Sequence, residues 1–300
     1  MSSTSMKFVT PSQYTKSNSQ HFIINTRAVE DFRNVHQALG PDDSVLDFGC
    51  GTGETTLALV QGELGSLGQP GEVVGVDISD SMVQHGQDTH HHPNLSFQQL
   101  DVTQADSFLA DKRSSFSLVT SFSCLHWVPD VPAAVSVFNS VLRTGGRFLF
   151  VLASSHNSEN PSKKAFDQMR VDPAWCEILR DTTWFHFLTV HQNTDWMKQG
   201  SGCITELDLA DLMKDHGFRV DGSKTFPLKY RFTREFVMGF LKSVEKKAFP
   251  QLQGDVREKF FTEYMNRIKK LLDERKRDED GLYEYVFDGV QIFGEKVKDC

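Results

Sequence analysis

One short segment of the sequence has the residue types and the spacing of a ligand-binding turn. In Val45-Leu-Asp-Phe-Gly-Cys-Gly-Thr-Gly53, glycines stand at positions 49, 51 and 53, after a short apolar run and before a helical pattern. Glycine lets the backbone pass close to a ligand where a side chain would collide. A dinucleotide fingerprint requires glycine at position 54, which is Glu54 here, and no Gly-Lys-Ser/Thr sequence of a phosphate loop follows. The turn therefore favours a zwitterionic amino-acid tail over two phosphates.

Acidic residues stand where the neighbouring strands are predicted to end. Asp77 ends the second strand, where a carboxylate can accept hydrogen bonds from both hydroxyl groups of a ribose. Asp101 ends the third strand, where it can meet an exocyclic amine. Asp47 and Ser121 also fall at predicted strand ends, and ligands of open α/β sheets bind outside these ends, where the strand order reverses. We therefore predict that these residues share one cleft.

Alternating strands and helices must position these residues. The first half of the chain predicts five buried strands separated by helices, which is typical of a parallel, doubly wound sheet. These strands are predicted at 44–48, 72–77, 95–100, 116–121 and 147–152. In the second half, a helix at 206–216 leads into a strand that ends near residue 226, and a strand at 283–293 closes the sheet. We predict an α/β fold with a mostly parallel, seven-stranded, Rossmann-like sheet.

The remaining segments are predicted to form a lid, a cap and an insertion. Residues 1–30 form an N-terminal lid segment, residues 31–155 the ligand-binding core and residues 156–204 a helical cap. Residues 205–300 complete the sheet and carry a helical insertion at about 232–275, where one helix holds Val237, Phe240, Leu241 and Val244. The chain has 24 phenylalanines, and the aromatic residues of the cap either line an apolar pocket or pack its core: Trp175, Trp184, Phe185, Phe187 and Trp196.

Composition argues against several classes of protein. The 300 residues carry a formal net charge of −8, which disfavours a nucleic-acid binder that relies on phosphate attraction. No apolar run approaches the roughly 18 residues of a membrane span, and residues 1–10 lack the apolar stretch of a secretory signal. Five scattered cysteines without a CxxC pair argue against a zinc site or a disulfide framework. We expect a cytoplasmic monomer or homodimer without a bound metal.

The tract His90-His91-His92 has the composition of a metal-binding segment. It follows a predicted helix and has no acidic or cysteine partner beside it in the sequence. We therefore predict a solvated loop here.

The motifs DFGCGTG, GVDIS and LDV, with SFSCLHWV after the fourth strand, resemble a known family. Their combination is similar to class I S-adenosylmethionine-dependent methyltransferases. The resemblance implies that S-adenosylmethionine is the cofactor. It also implies the following cofactor-binding residues: Tyr14, Asp47, Gly49, Cys50, Gly51, Gly53, Asp77, Ile78, Met82, Asp101, Val102 and Ser121.

Two further segments resemble juvenile hormone acid methyltransferases of arthropods and their relatives in other animals. These segments are Tyr14-Thr-Lys-Ser-Asn-Ser19 and Cys124-Leu-His-Trp-Val128. The resemblance covers about residues 10–155 and implies methyl transfer to the carboxylate of farnesoic acid or a related sesquiterpenoid acid. It assigns a substrate-side role to Trp127. The family commonly has glutamine seven positions after the tyrosine, whereas Gln20 lies six positions after Tyr14 and His21 lies seven, so either residue can be the second donor.

The chemistry of carboxyl methylation decides which residues to seek. A carboxylate with an unperturbed pKa is ionised at pH 7 and needs no general base. Catalysis then depends on holding one oxygen about 3 Å from the methyl group, in line with the departing sulfur. Hydrogen-bond donors and apolar walls are therefore the catalytic candidates, namely Trp127, His126, Gln20 and His21.

Other functions remain alternatives. N6-adenine and glutamine methyltransferases have a [DN]PP[YF] turn after the fourth strand, where this chain has Ser121-Phe-Ser-Cys124. Arsenic methylation requires a thiol cluster, for which Cys176 and Cys203 are a weak basis. A small polar carboxylic acid would call for arginine beside Trp127, and none is there. The non-enzymatic alternative is a cofactor-binding regulatory protein, against which the intact glycine turn and both acids argue.

Overall fold

The computed structural model describes residues 19–128, 130–154, 206–235, 238, 254–274 and 277–298. A seven-stranded sheet in the order β3-β2-β1-β4-β5-β7-β6 is its central element. The strands are β1 (Ser44–Phe48), β2 (Glu72–Asp77), β3 (Leu95–Gln99), β4 (Phe116–Phe122), β5 (Leu142–Ser154), β6 (Phe218–Phe232) and β7 (Tyr283–Lys296). Strands β1 to β5 pair in parallel, and β7 is antiparallel to both β5 and β6. The predicted fold class is confirmed.

Helices separate the strands, as the sequence predicts. They are α1 (Ser19–Arg33), α2 (Glu54–Gln61), α3 (Asp80–Thr89), α4 (Asp106–Lys112), α5 (Val131–Val141), α6 (Glu206–Asp215) and α7 (Gly254–Glu274). Helix α5 begins at an N-cap, because the Asp130 carboxylate accepts a hydrogen bond from the Ala133 N–H and Pro132 lies in the first turn. Among the described residues, no helix is long and apolar enough to cross a membrane.

The order of the strands creates one cleft. The chain proceeds outward from β1 through β2 to β3, then returns to the other side of β1 with β4 and β5. The order therefore reverses between β1 and β4, and their carboxyl ends open onto a crevice where ligands of such sheets bind. The predicted site residues at the strand ends lie along this edge.

Apolar side chains pack on both faces of the sheet. One buried cluster joins the strands to α4, α5 and α6, and includes Phe108, Phe138 and Leu209. The other joins them to α1 and α2, and includes Phe32 and Leu59. Helices on both faces explain why β1, β2 and β4 are buried along almost their whole length rather than at alternate residues.

Several elements differ from the predictions. Strands β6 and β7 extend beyond their predicted ends, to Phe232 and Lys296. Residues 228–232 of β6 pair with residues 283–287 of β7, past Ser154, the last residue of β5 that pairs with β7. Helix α4 was not predicted, because its seven residues are too few for a clear helical period. The predicted helix with Val237 and Phe240 lies outside the described residues. So do the helical cap at 156–204 and the first 18 residues of the lid segment.

Helix α1 lies along the sheet with its first residue toward the ligand-binding edge. Its Phe32 ring makes an edge contact with Phe293, at a centroid distance of 5.9 Å. One helical turn earlier, the Ala28 carbonyl accepts a hydrogen bond of 3.2 Å from Gln291 Nε2. Residues of β7 with lower numbers lie nearer the carboxyl end of β5, because the two strands are antiparallel. The start of α1 therefore points to the same edge as the cleft.

Asp47 ties three elements together beneath this edge. Its side chain is buried at 2% exposure, and its two carboxylate oxygens accept hydrogen bonds from the hydroxyl groups of Thr56 (2.7 Å) and Thr120 (2.9 Å). Strand β1 is thereby joined to α2 and β4. Burial raises the pKa of Asp47 to about 6, although both hydroxyl groups favour the ionised form.

We expect Asp47→Asn to change how stability depends on pH. The folded state holds a proton on Asp47 more readily than the unfolded chain does, so this residue stabilises the fold as pH falls through about 6. From pH 7.5 to pH 5, the free energy of unfolding of the parent protein should rise relative to that of the variant by about 1 kcal/mol. Urea unfolding followed by circular dichroism measures this difference. A difference that stays constant over this range would contradict the assignment.

Candidate active site

The glycine-rich turn is attached to the carboxyl end of β2. The N–H groups of Gly49 and Cys50 both donate to the Val76 carbonyl, at 2.7 and 3.0 Å. The Gly51 N–H donates to Asp77 Oδ2 at 3.0 Å. Three consecutive N–H groups are thus held by two adjacent residues, which gives the turn one conformation.

Two of the glycines cannot be replaced without collision. Gly49 and Gly53 have φ angles of 74° and 93°, in the region that side chains disfavour. A Cβ atom on Gly49 would lie 2.1 Å from Cys124 Sγ, and one on Gly53 would lie 2.6 Å from the Phe97 ring. The turn therefore forms a smooth backbone cradle that is supported from behind by side chains of β3 and of the segment after β4.

The carboxylate of Asp77 faces this cradle at the end of β2. Oδ2 accepts from Gly51 and Oδ1 accepts from the Ser79 N–H at 2.9 Å, so each oxygen retains one lone pair for a further donor. Burial raises the pKa of Asp77, and the backbone N–H groups of Ser79 and Gly51 oppose that shift. This position suits the predicted contact with two ribose hydroxyl groups.

Helix α2 presents an open N-terminus beside the turn. Gly53 is its N-cap and provides no side-chain acceptor for the first N–H groups of the helix. Glu54 begins the helix, and its carboxylate accepts a 2.5 Å hydrogen bond from the buried Thr52 hydroxyl. An uncapped helix N-terminus favours a carboxylate, whereas the Glu54 charge opposes a second phosphate. This arrangement agrees with the prediction from the sequence that the turn binds an amino-acid tail rather than two phosphates.

The other predicted cofactor residues lie around the cleft. Ile78 follows β2, and its carbonyl accepts a hydrogen bond of 3.0 Å from Gln99 Nε2. Met82 lies on α3 and is 9% exposed. Asp101 precedes a single 3₁₀ turn, Val102–Gln104, and Val102 packs against the core. Their contacts with a cofactor stay predictions.

Ser121 and Asp47 occupy more enclosed positions than expected. Ser121 is fully buried at the end of β4, and its hydroxyl group makes no hydrogen bond of normal geometry within the described residues. Asp47 lies behind the turn with both oxygens engaged by threonine hydroxyl groups. A buried polar atom without a partner is uncommon in native proteins and is often completed by a ligand or water. The contact of Ser121 with a cofactor stays a prediction, whereas the position of Asp47 is one of support.

The two thiols of the cleft are protonated at neutral pH. Cys50 lies in the turn and Cys124 lies against Gly49, and burial raises the pKa of both thiols above the ordinary value for cysteine. The charges of Asp77 and Asp47 add to this effect. Because the thiolate is the nucleophilic form of cysteine, neither residue is equipped to attack a substrate.

The predicted substrate-side residues stand on two short segments. His126 and Trp127 belong to a 3₁₀ turn, Leu125–Trp127, directly after β4, and His126 is half-buried. Gln20 and His21 lie in the first turn of α1, at the end that points to the cleft. Tyr14 lies outside the described residues. The backbone thus places both donor segments at the edge of the sheet where the glycine turn lies.

The prediction of a solvated loop is wrong for His90. Its ring lies behind the glycine turn, where a Cβ atom on Gly53 would come within 3.0 Å of it, and its Nε2 atom is buried. Burial lowers the pKa of His90 below the ordinary histidine value. His91 is exposed, as predicted. Among the described residues, no group of His, Cys, Asp or Glu could hold a metal ion.

Sequence reasoning missed Asn25. This residue is 1% exposed on α1, and its Nδ2 atom donates to Thr55 Oγ1 in the first turn of α2, at 3.4 Å. The signal was present in the sequence, because Asn25 shares a helical face with the buried residues Ala28, Val29 and Phe32. A polar residue at such a position requires a partner.

Comparison with known proteins agrees with this geometry. Residues 39–200, more than half of the chain, match the family model described as a methyltransferase domain. The juvenile hormone acid O-methyltransferases of Drosophila melanogaster and Bombyx mori are 29% and 32% identical over 142 and 140 residues. These matches cover 47% and 46% of this chain, and 45% and 49% of the relatives. The chain therefore matches about half the length of each.

A bacterial enzyme and a solved structure extend the comparison. Demethylmenaquinone methyltransferase of Staphylococcus aureus is 30% identical over 151 residues, which are 50% of this chain and 55% of that one. A solved Bacillus halodurans structure, described as a candidate methyltransferase, has a TM-score of 0.57 and 17% identity. It covers 92% of this chain and 100% of that one, and the likeness concerns the fold alone.

The residues present fit an S-adenosylmethionine cofactor. The glycine cradle excludes side chains, the α2 N-terminus is open to a carboxylate, and Asp77 retains acceptor capacity at the end of β2. Together with the family match, this arrangement identifies the ligand class that the sheet edge accommodates. The chain therefore belongs to the methyltransferase domain family, with a class I fold whose methyl donor is S-adenosylmethionine.

Proposed function

We propose that this protein is an O-methyltransferase that methylates the carboxylate of a lipophilic acid. The acid is of the farnesoic acid or juvenile hormone acid type, and the product is its methyl ester. The observation that carries this proposal is the position of two donor-bearing segments, the start of α1 and the turn Leu125–Trp127, at the carboxyl edge that also holds the glycine turn.

The comparisons support the choice of acceptor. Two juvenile hormone acid O-methyltransferases are 29% and 32% identical to this chain over about half of its length. Of the two segments that resemble that family, residues 14–19 precede β1 in the sequence and residues 124–128 follow β4.

Carboxyl methylation suits the chemistry of this cleft. The acceptor acid is already ionised at neutral pH, so the protein does not have to remove a proton. When bound, S-adenosylmethionine supplies an electrophilic methyl group on a sulfonium. The work left to the protein is to hold one carboxylate oxygen in line with that group and to exclude water. The protonated thiols of Cys50 and Cys124 do not compete as methyl acceptors.

The proposed roles follow from this requirement. The Trp127 indole N–H donates to one carboxylate oxygen while its ring forms an apolar wall beside the tail of the acid. Gln20 or His21, from the first turn of α1, donates to the second oxygen. His126 is a further donor on the same turn as Trp127. Two donors that hold both oxygens orient the carboxylate and leave a lone pair free to attack the methyl group.

A second candidate function is methylation of a carbon atom in a quinone-like ring. It is favoured by the similarity to demethylmenaquinone methyltransferase, which covers about half of both chains. Methylation of ring carbon produces a bond that alkali does not cleave, whereas a methyl ester releases methanol in alkali. The two functions are therefore distinguished by the lability of the product.

A panel of acceptors tests the proposal. The protein would be incubated with S-adenosylmethionine that carries a labelled methyl group and with farnesoic acid, a medium-chain fatty acid, aconitic acid or a demethylated naphthoquinol. We expect alkali-labile label on farnesoic acid, less on the fatty acid and none on aconitic acid.

The other outcomes separate the alternatives. Ester on aconitic acid alone would retain carboxyl methylation and contradict the apolar acceptor. Alkali-stable label on the naphthoquinol alone would favour carbon methylation. Absence of product with every acceptor, while the cofactor still binds, would favour the regulatory alternative.

Asp77→Ala should abolish cofactor binding. The substitution removes the predicted ribose contact and also releases the Gly51 N–H that holds the turn in place. Calorimetric titration with S-adenosylhomocysteine should show a loss of affinity of about 100-fold or more, since two hydrogen bonds to a charged group are lost. Asp88→Ala, at an exposed position of α3, is the matched control and should bind normally. Unchanged affinity in Asp77→Ala would contradict the assignment.

Substitution of Trp127 should impair turnover but not cofactor binding. Trp127→Phe retains a ring and removes the donor, so kcat/KM for farnesoic acid should fall by about tenfold, and Trp127→Ala should cost more. The affinity for S-adenosylhomocysteine, measured by calorimetry, should stay within about twofold. Normal turnover in Trp127→Ala would place the carboxylate elsewhere in the cleft.

A further inference from the structure

Asn25 carries a buried polar atom whose partner is missing from the described fold. The side chain is 1% exposed, and its Oδ1 atom has no hydrogen-bond partner among the described residues. Its other polar atom, Nδ2, donates to Thr55 Oγ1 at 3.4 Å, a long hydrogen bond. Native proteins rarely retain such an atom unless a ligand or an ordered water completes it.

The position of Asn25 indicates which ligand can complete it. Thr55 is the second residue of α2 and lies two positions after Gly53, the last glycine of the turn. Gly53, the N-cap of α2, provides no side-chain acceptor for the first N–H groups of the helix, so this N-terminus favours an anionic group. The unpartnered Oδ1 atom of Asn25 and the N-terminus of α2 thus lie close together, on the α1 side of the glycine turn.

The amide can serve either charged end of an amino-acid tail. With Nδ2 on Thr55, the Oδ1 atom is available to accept from an ammonium group. With the amide rotated by 180°, Oδ1 would accept from the Thr55 hydroxyl and Nδ2 would be available to donate to a carboxylate. In both orientations, one amide atom is left for a zwitterion, and the α2 N-terminus favours the carboxylate of the same group.

We propose that Asn25 binds the amino-acid tail of the methyl donor, through the juxtaposition of its buried amide, which has one unpartnered atom, and the N-terminus of α2, whose N-cap residue provides no side-chain acceptor. This assignment concerns the methyl donor and is independent of the acceptor acid. It also gives α1 a second role, because the helix that carries Gln20 and His21 in its first turn then contacts the donor one turn later.

Substitution by leucine separates binding from folding. Asn25→Leu keeps the approximate size of the side chain and removes both polar atoms. If the amide binds the tail, affinity for S-adenosylhomocysteine should fall by about tenfold, which corresponds to one hydrogen bond to a charged group. The melting temperature without ligand should stay equal or rise, because an unpartnered polar atom has been removed from the interior. If the amide instead serves only to stabilise the fold, Asn25→Leu should lower the melting temperature.

A ligand without the tail provides the matched comparison. 5′-Methylthioadenosine retains the nucleoside and sulfur but lacks the amino-acid group, so Asn25→Leu should bind it as the parent protein does. Calorimetry with both ligands measures the two effects. Thr26→Val, the neighbouring residue whose hydroxyl donates only to the Phe22 carbonyl of its own helix, should leave both affinities unchanged.

Three results would overturn the proposal. These are unchanged affinity for S-adenosylhomocysteine in Asn25→Leu, an equal loss for both ligands, and a loss confined to 5′-methylthioadenosine. If Asn25→Leu does not fold, the affinities of Asn25→Ala for the two ligands are measured in the same way, and the same three results would overturn the proposal. Failure here would leave the acceptor panel unaffected, because that experiment tests a different part of the site.

Discussion

The attachment of the glycine turn to the end of β2 is the constraint on which the site depends. Three successive N–H groups of the turn donate to the Val76 carbonyl and the Asp77 carboxylate, so the turn takes its conformation from the neighbouring strand. That attachment requires β1 and β2 to pair in parallel and in this register. A shift by one residue would move Asp77 to the other face of the sheet and leave the turn without its acceptors.

Burial sets the electrostatics of the cleft. Asp47 and Asp77 lie close enough to interact, and removal from water raises the pKa of both carboxyl groups as well as of the two cysteine thiols. Such a cleft does not generate a thiolate nucleophile, because both thiols stay protonated. The proposed transfer to a carboxylate needs only orientation, so the demands of the reaction and the character of the site agree.

In the proposed site, helix α1 connects the side of the cleft that holds the methyl donor to the side that holds the acceptor acid. It packs on β7 through Phe32 and Ala28, and it reaches the first turn of α2 through Asn25. The candidate substrate donors lie in its first turn. With one rigid helix between the two ligands, a contact that orders α1 on the methyl donor also positions the groups proposed to hold the acceptor. The order of the sheet makes this possible, because β7 is inserted beside β5 and offers α1 a surface on the cleft side.

The sequence by itself determined the parallel sheet, the glycine turn and the acidic residues at the strand ends. Each of these depends on local periodicity or on residues a few positions apart, and such patterns survive without knowledge of distant contacts. Only the tertiary structure decided the surroundings of Asp47, the packing of His90 behind Gly53 and the contact of Asn25 with Thr55. Their partners lie 9 to 73 residues away for Asp47 and 30 residues away for Asn25. Whether a polar side chain is solvated, supports a turn or awaits a ligand therefore depends on which elements pack over it, and spacing along the chain does not encode that.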